Sequence, residues 1–148
     1  MIPEGNYPPT FLRGIPHKGP QYFDNQGEVL GHIFRPHDND LPEAGVFKVS
    51  INWEDDATVE DFTLRAIKDD GTLHYNGGAA RVSLEKINLM RQEPPYVGTV
   101  GYQRDAIRGV NEYHGNLLLN EDRARGSSRA AFFRRLKFTV IDVIPPIE

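Results

Sequence analysis

Apolar and polar residues alternate cleanly at 47–52: Phe47, Val49 and Ile51 fall on one side, and Lys48, Ser50 and Asn52 on the other. That period of two predicts a strand with one buried face. Trp53, the single tryptophan, follows, and the acidic turn Glu54, Asp55, Asp56 then leads into a helical pattern. Asp55, Asp56 and Thr58 offer side-chain oxygens for a helix start, and Glu60 and Asp61 suit the positive end of its dipole. Val59, Phe62, Ala66 and Ile67 make the apolar stripe, which ends at Asp70-Gly71.

The same reading extends in both directions. FLRGI (11–15) predicts a short edge strand stopped by Pro16, and EVLGHIFR (28–35) alternates as a strand buried on at least one side. Residues 36–45 form a polar loop. Strand and turn are expected at 72–78, a strand at 77–84, and a short helix capped by Ser83 that uses Leu84, Ile87 and Leu89 or Met90. Strands are again expected at 96–102 and 113–120. Phe132, Leu136, Val140 and Val143 recur at helical spacing, although the β-branched Thr139, Val140 and Ile141 also suit a strand. The sum is a single α+β domain: a mainly antiparallel sheet of about five strands with two or three packed helices. Residues 1–10, with three prolines, read as a mobile lead, 11–144 as the globular domain and 145–148 as a tail.

At 148 residues the chain is long enough to bury a core without crosslinks, and it has no cysteine, which removes thiolate metal sites and cysteine nucleophiles. With no long apolar run and no signal-peptide pattern at its start, it reads as soluble, unsecreted and compatible with the cytoplasm. The net charge of −4 argues mildly against general nucleic-acid binding, but the charge is unevenly spread. Residues 54–70 carry seven acidic and two basic side chains, whereas 123–137 carry six basic and none acidic. An electrically polar molecule is expected. Arg134 and Arg135 lie about 100° apart around a helix, which argues against a compact phosphate-gripping stripe, so the basic segment reads as solvated or partner-facing, with nucleic-acid contact the lesser alternative.

Several residues could carry chemistry. His32 and His37, near Asp38, Asp40 and Glu43, are a weak metal candidate whose spacing fits neither a zinc site nor a calcium loop; a solvated turn explains them better. His114 stands at the entrance to an apolar run, with Gly115 leaving room beside it, and a structural role is favoured over pairing with Ser50. Arg13, Ser50 and a glutamate such as Glu85 or Glu112 would together match the residue trio of ADP-ribosyltransferases. No Gly-rich phosphate loop or metal signature is present, so no cofactor is called for.

FLRGI, GHIF, VSIN and YHGN occur in an order that resembles a group of small bacterial proteins with no assigned activity, over about residues 11–120. The resemblance implies a bacterial, cytoplasmic setting and points to Arg13, Ser50 and His114 as positions to mutate together. On this reading the chain is a non-catalytic interaction subunit or accessory factor of a larger assembly, with no membrane contact. Trp53, Glu54, Asp55, Asp56, Arg134 and Arg135 would be its contact residues, although a place in the core is favoured for Trp53 by the usual burial of tryptophan. A small transferase or hydrolase using Arg13, Ser50 and His114 is the alternative.

Overall fold

The computed structural model describes residues 7–37 and 40–147. Six strands form one antiparallel sheet: β1 (Thr10–Gly14), β2 (Val46–Trp53), β3 (Ala79–Ser83), β4 (Val100–Arg104), β5 (His114–Asn120) and β6 (Val140–Ile144), in the order β4-β5-β2-β1-β3-β6. Four helices accompany it, α1 (Thr58–Leu64), α2 (Leu84–Met90), α3 (Glu121–Arg125) and α4 (Arg129–Lys137), with a 3-10 turn at Gly31–Phe34. The α+β class is as expected, with one strand more than the sequence pattern indicated.

Alternation along β2 decides the layers. Phe47, Val49, Ile51 and Trp53 are buried on one face with Phe11, Val82, Leu117 and Leu119. That face is covered by Ile87 and Met90 of α2, Ala124 of α3, Phe132 and Leu136 of α4, and Ile33 and Phe34 of the 3-10 turn. Residues of opposite parity, Lys48, Ser50 and Asn52, share the second face with His114 and Asn116, their partners' side in the β2–β5 register. α1 covers only part of that face, packing Val59 and Leu64 on Leu12, Ala79 and Ile144. The polar half of the sheet is therefore left accessible beside α1.

Five expectations need correction. β1 is a central strand, hydrogen-bonded to β2 on one side and β3 on the other, with Phe11 and Leu12 buried on opposite faces. Residues 28–35 are not a strand: Ile33 and Phe34 both enter the core, which alternation forbids. Gly31 lies so close to α4 that a Cβ there would sit 2.6 Å from the Phe133 carbonyl carbon. The C-terminal helix stops at Lys137, where buried Thr139 donates its hydroxyl to the Leu136 carbonyl (2.6 Å), and the β-branched residues that follow pair with β3. Finally, α1 buries Val59, Thr63 and Leu64, while Phe62 and Ile67 of the expected stripe are exposed. Between 72 and 78 there is no strand, only a bridge from Leu73 to Ile67. At the N-terminal end Tyr7 packs on Trp53, with ring centroids 4.8 Å apart; residues 1–6 of the expected lead lie outside the described residues.

Candidate functional site

The accessible half of the sheet brings together residues far apart in sequence. His114 opens β5 and Ser50 lies mid-strand in β2; their side chains meet, with His114 Nε2 3.2 Å from Ser50 Oγ. On its other side His114 Nδ1 lies 2.8 Å from the main-chain carbonyl of Asp105, and 3.8 Å from that residue's carboxylate. A carbonyl can only accept, so Nδ1 carries the proton in the neutral ring and Nε2 is left as an acceptor for the serine hydroxyl. The Asp105 main chain is itself fixed, its N–H donating to the His114 carbonyl at 2.9 Å. Its carboxylate accepts from the buried Asn116 amide at 3.1 Å.

Supporting polar contacts run along the same face. Asn52 donates to Thr63 of α1 (2.8 Å) and accepts from Asn111 (2.8 Å), so the segment between β4 and β5 is tied to the sheet and to α1. Ser50 is exposed and borders a cleft of about 430 Å³. Lys48, Lys68, His37 and His74 also line it, against Asp40 as the single carboxylate among the described lining residues. The cleft therefore favours an anion.

Arg13 borders the same cleft but is occupied structurally. Its Nε donates to the Ile33 carbonyl (2.7 Å) and its Nη1 to the Ser50 carbonyl (2.9 Å), so it ties the 3-10 turn to the strand that carries the serine. Burial lowers its pKa from the ordinary arginine value. Tyr75, packed over Gly14, is pushed upward, chiefly by its own burial. Arg13, Ser50 and His114 are thus joined through Ser50, with Arg13 acting on the main chain. Neither Glu85 nor Glu112 borders the cleft, and Glu112 instead accepts from the Gly109 N–H (3.1 Å). The trio of ADP-ribosyltransferases is not assembled.

The remaining candidates fall elsewhere. Trp53 is fully buried, with its Nε1 donating to the Gln103 carbonyl (3.1 Å), so it is a core residue with no surface to offer a partner. The space beside Gly115 is filled by that indole. Glu54 meets Arg81 (2.8 Å) and Thr10 (2.9 Å), Asp55 meets Arg104, and Asp56 accepts from the Thr58 N–H (2.8 Å). Arg81 also reaches Glu60 and Asp142, each at 2.8 Å, and Arg135 pairs with Glu93 at 2.8 Å. Charges segregated along the sequence thus meet in space, and the expected acidic face is largely consumed inside the molecule. His32 lies 2.8 Å from Gln21 and the His37 N–H donates to the Asp40 carboxylate (2.9 Å). Asp38 lies outside the described residues, among which no group of three or more possible metal ligands occurs.

Sequence reasoning missed Asp105, Lys68 and Tyr75. Asp105 orients His114 through a main-chain carbonyl, which every residue type possesses, so no side-chain pattern could have marked it. Among the described residues no helix is long and apolar enough to cross a membrane. No protein-family model matches this chain, and neither a curated protein nor a solved structure does.

Proposed function

We propose that the protein is a serine hydrolase for a small anionic ester, with Ser50 as nucleophile and His114 as general base. The observation that carries this reading is the relay in which Ser50 Oγ lies 3.2 Å from His114 Nε2 while the Asp105 carbonyl holds Nδ1 at 2.8 Å. A nucleophile within reach of a base that a third group orients is the arrangement activated hydroxyls require. As Oγ attacks the substrate carbonyl carbon, its proton passes to Nε2. The imidazolium that forms is stabilised by the Asp105 carbonyl, and then protonates the leaving alcohol. Water repeats the step and frees Ser50. Lys68 supplies positive charge that attracts an anionic substrate and favours the developing oxyanion, with Lys48, which also meets Glu43 at 3.5 Å, beside it. Arg13 is a positioning residue, fixing the Ser50 main chain.

A non-catalytic interaction role built on opposed charged faces has less support, because Glu54, Asp55 and Asp56 are engaged internally. The test is covalent labelling with a fluorophosphonate, read by mass spectrometry of the peptide containing Ser50. One adduct on Ser50 is expected, slowed about 100-fold or more in His114→Ala. A folded wild-type protein that stays unlabelled at millimolar probe would remove the proposal.

A further inference from the structure

β1 and β2 are in register only where Phe11 faces Trp53 and Leu12 faces Asn52, whereas β1 stays paired with β3 as far as Gly14 and Ala79. The two strands therefore diverge from Arg13 onward, and its guanidinium fills the opening by binding the Ile33 and Ser50 carbonyls. A guanidinium has five N–H donors, and these bonds leave most of them over. Among the described residues Nη2 makes no hydrogen bond, and no carboxylate forms an ion pair with Arg13. The acid whose charge it feels is Asp40, itself engaged by the His37 N–H (2.9 Å). Tyr75 stands beside the guanidinium, its ring taking the place that a side chain at Gly14 would fill. The Tyr75 hydroxyl also has no hydrogen-bond partner among the described residues. Both residues are only half-buried, and no sealed side-chain nitrogen or oxygen lacks a partner among the described residues, so Nη2 and this hydroxyl both reach solvent. The cleft of about 430 Å³ that Ser50 borders is lined by both.

We infer that Nη2 of Arg13 and the Tyr75 hydroxyl form a subsite for a carboxylate in this cleft. A guanidinium held only by neutral carbonyls keeps its full charge, and a bound carboxylate offsets the cost of having taken that charge partly out of water. The phenol of Tyr75 is protonated at neutral pH and donates beside it. Charge selects a monoanion. Lys48 also meets Glu43, Lys68 lies in the field of Asp70, and Asp40 repels a second negative charge from within the lining. None of the described lining residues belongs to a helix, so no helix N-terminus is there to hold a phosphate. Arg13 also borders a smaller hollow of about 160 Å³ beside Tyr22 and His32; Tyr75 does not line it, which makes the Tyr75 hydroxyl the mark of the subsite. Ser50 presents its carbonyl to Arg13 and its hydroxyl to His114, so the subsite adjoins the proposed nucleophile. Its part in turnover rests on that reading of Ser50, and there it assigns the substrate as an ester with a carboxylate close to the scissile bond. Its capacity to bind stands apart from that reading.

The experiment is an NMR titration of the full chain, labelled with nitrogen-15, with butyrate, its uncharged counterpart butyramide, and inorganic phosphate at about pH 8, where phosphate is doubly charged. Saturable binding of butyrate is expected in the low-millimolar range that so small a ligand allows, with shifts at the Arg13 Nε–H and at the Ser50 and Tyr75 amides. Butyramide and phosphate should each bind about tenfold more weakly or less. Tyr75→Phe keeps the ring over Gly14 and should weaken butyrate about tenfold, the loss of one hydrogen bond to a charged group. Arg13→Lys keeps the charge without the fork and should weaken it about as much; if that variant does not fold by circular dichroism, Tyr75→Phe alone decides. Arg65→Gln, outside the cleft, should bind as the wild type does. Fluorophosphonate labelling of Ser50 is measured in parallel. Butyrate binding without labelling removes the serine reading and leaves the subsite standing, whereas labelling without butyrate binding removes the subsite. No saturation by about 100 mM butyrate, equal affinity for butyramide, tighter binding of phosphate, or undiminished binding to Tyr75→Phe would each overturn the inference.

Discussion

Replacing Gly115 by alanine should destabilise the protein by about 2–4 kcal/mol, and the figure follows from one buried contact. Gly115 sits in β5 opposite Ile51 and Arg104, and the Trp53 indole lies over it. A Cβ at 115 would stand 2.5 Å from the Gln103 carbonyl oxygen and 2.6 Å from Trp53 Cδ1. Trp53 is fully buried among Phe11, Tyr7 and Tyr102, so it has no free space to move into. Overpacking of a filled core costs about 1–3 kcal/mol, and displacing the indole also loses its bond to Gln103, about 1 kcal/mol net. Against a total of about 5–15 kcal/mol the loss is large, and it should lower Tm by about 4–16 °C. The single tryptophan is itself the reporter: urea unfolding followed by its fluorescence gives the midpoint, and a blue-to-red change in the native spectrum shows whether the indole has moved. A variant within about 0.5 kcal/mol of wild type, the range of neutral surface changes, with an unaltered native spectrum would show that the indole is not confined as described.

Arg81 is one-fifth exposed and faces Glu54, Glu60 and Asp142, so Arg81→Met should cost about 2–3 kcal/mol, mostly by leaving the nearly buried Glu54 without its cation. A double-mutant cycle with Glu54→Gln measures the coupling, and a value near zero would contradict this account. Hydrogen bonds from Thr58 and Thr72 hold the carboxyls of Asp56 and Asp70 below the ordinary aspartate value. Their stabilising effect is therefore present above about pH 4 and is lost as the pH falls through the lowered values. The difference in urea midpoint between wild type and Asp56→Asn, Asp70→Asn should close on acidification; a gap independent of pH would refute it. Arg13→Met should lower stability and also slow labelling of Ser50, because its guanidinium binds the Ser50 carbonyl. Normal labelling in a folded Arg13→Met protein would show that the serine is positioned without it.

What the sequence determined was local. The alternation of Phe47, Val49 and Ile51 gave β2 its buried face, the apolar run before Asn120 gave β5, and Ser83 does accept from the Lys86 N–H (3.2 Å) at the start of α2. These features depend on neighbours within a few residues. What the tertiary structure decided was every relation across the sheet. It made FLRGI a central strand and folded residues 31–34 into a turn against α4. It also set Arg81 among acids 21, 27 and 61 residues away, so that charge separated in sequence is paired in space. The candidate site is of the same kind: Ser50 and His114 are 64 residues apart and meet only because β5 pairs with β2 in a register that sets Asn52 opposite His114. Side-chain periodicity records which face is buried, but strand order and register arise from packing between distant segments, and a main-chain carbonyl such as that of Asp105 leaves no mark in the amino-acid code.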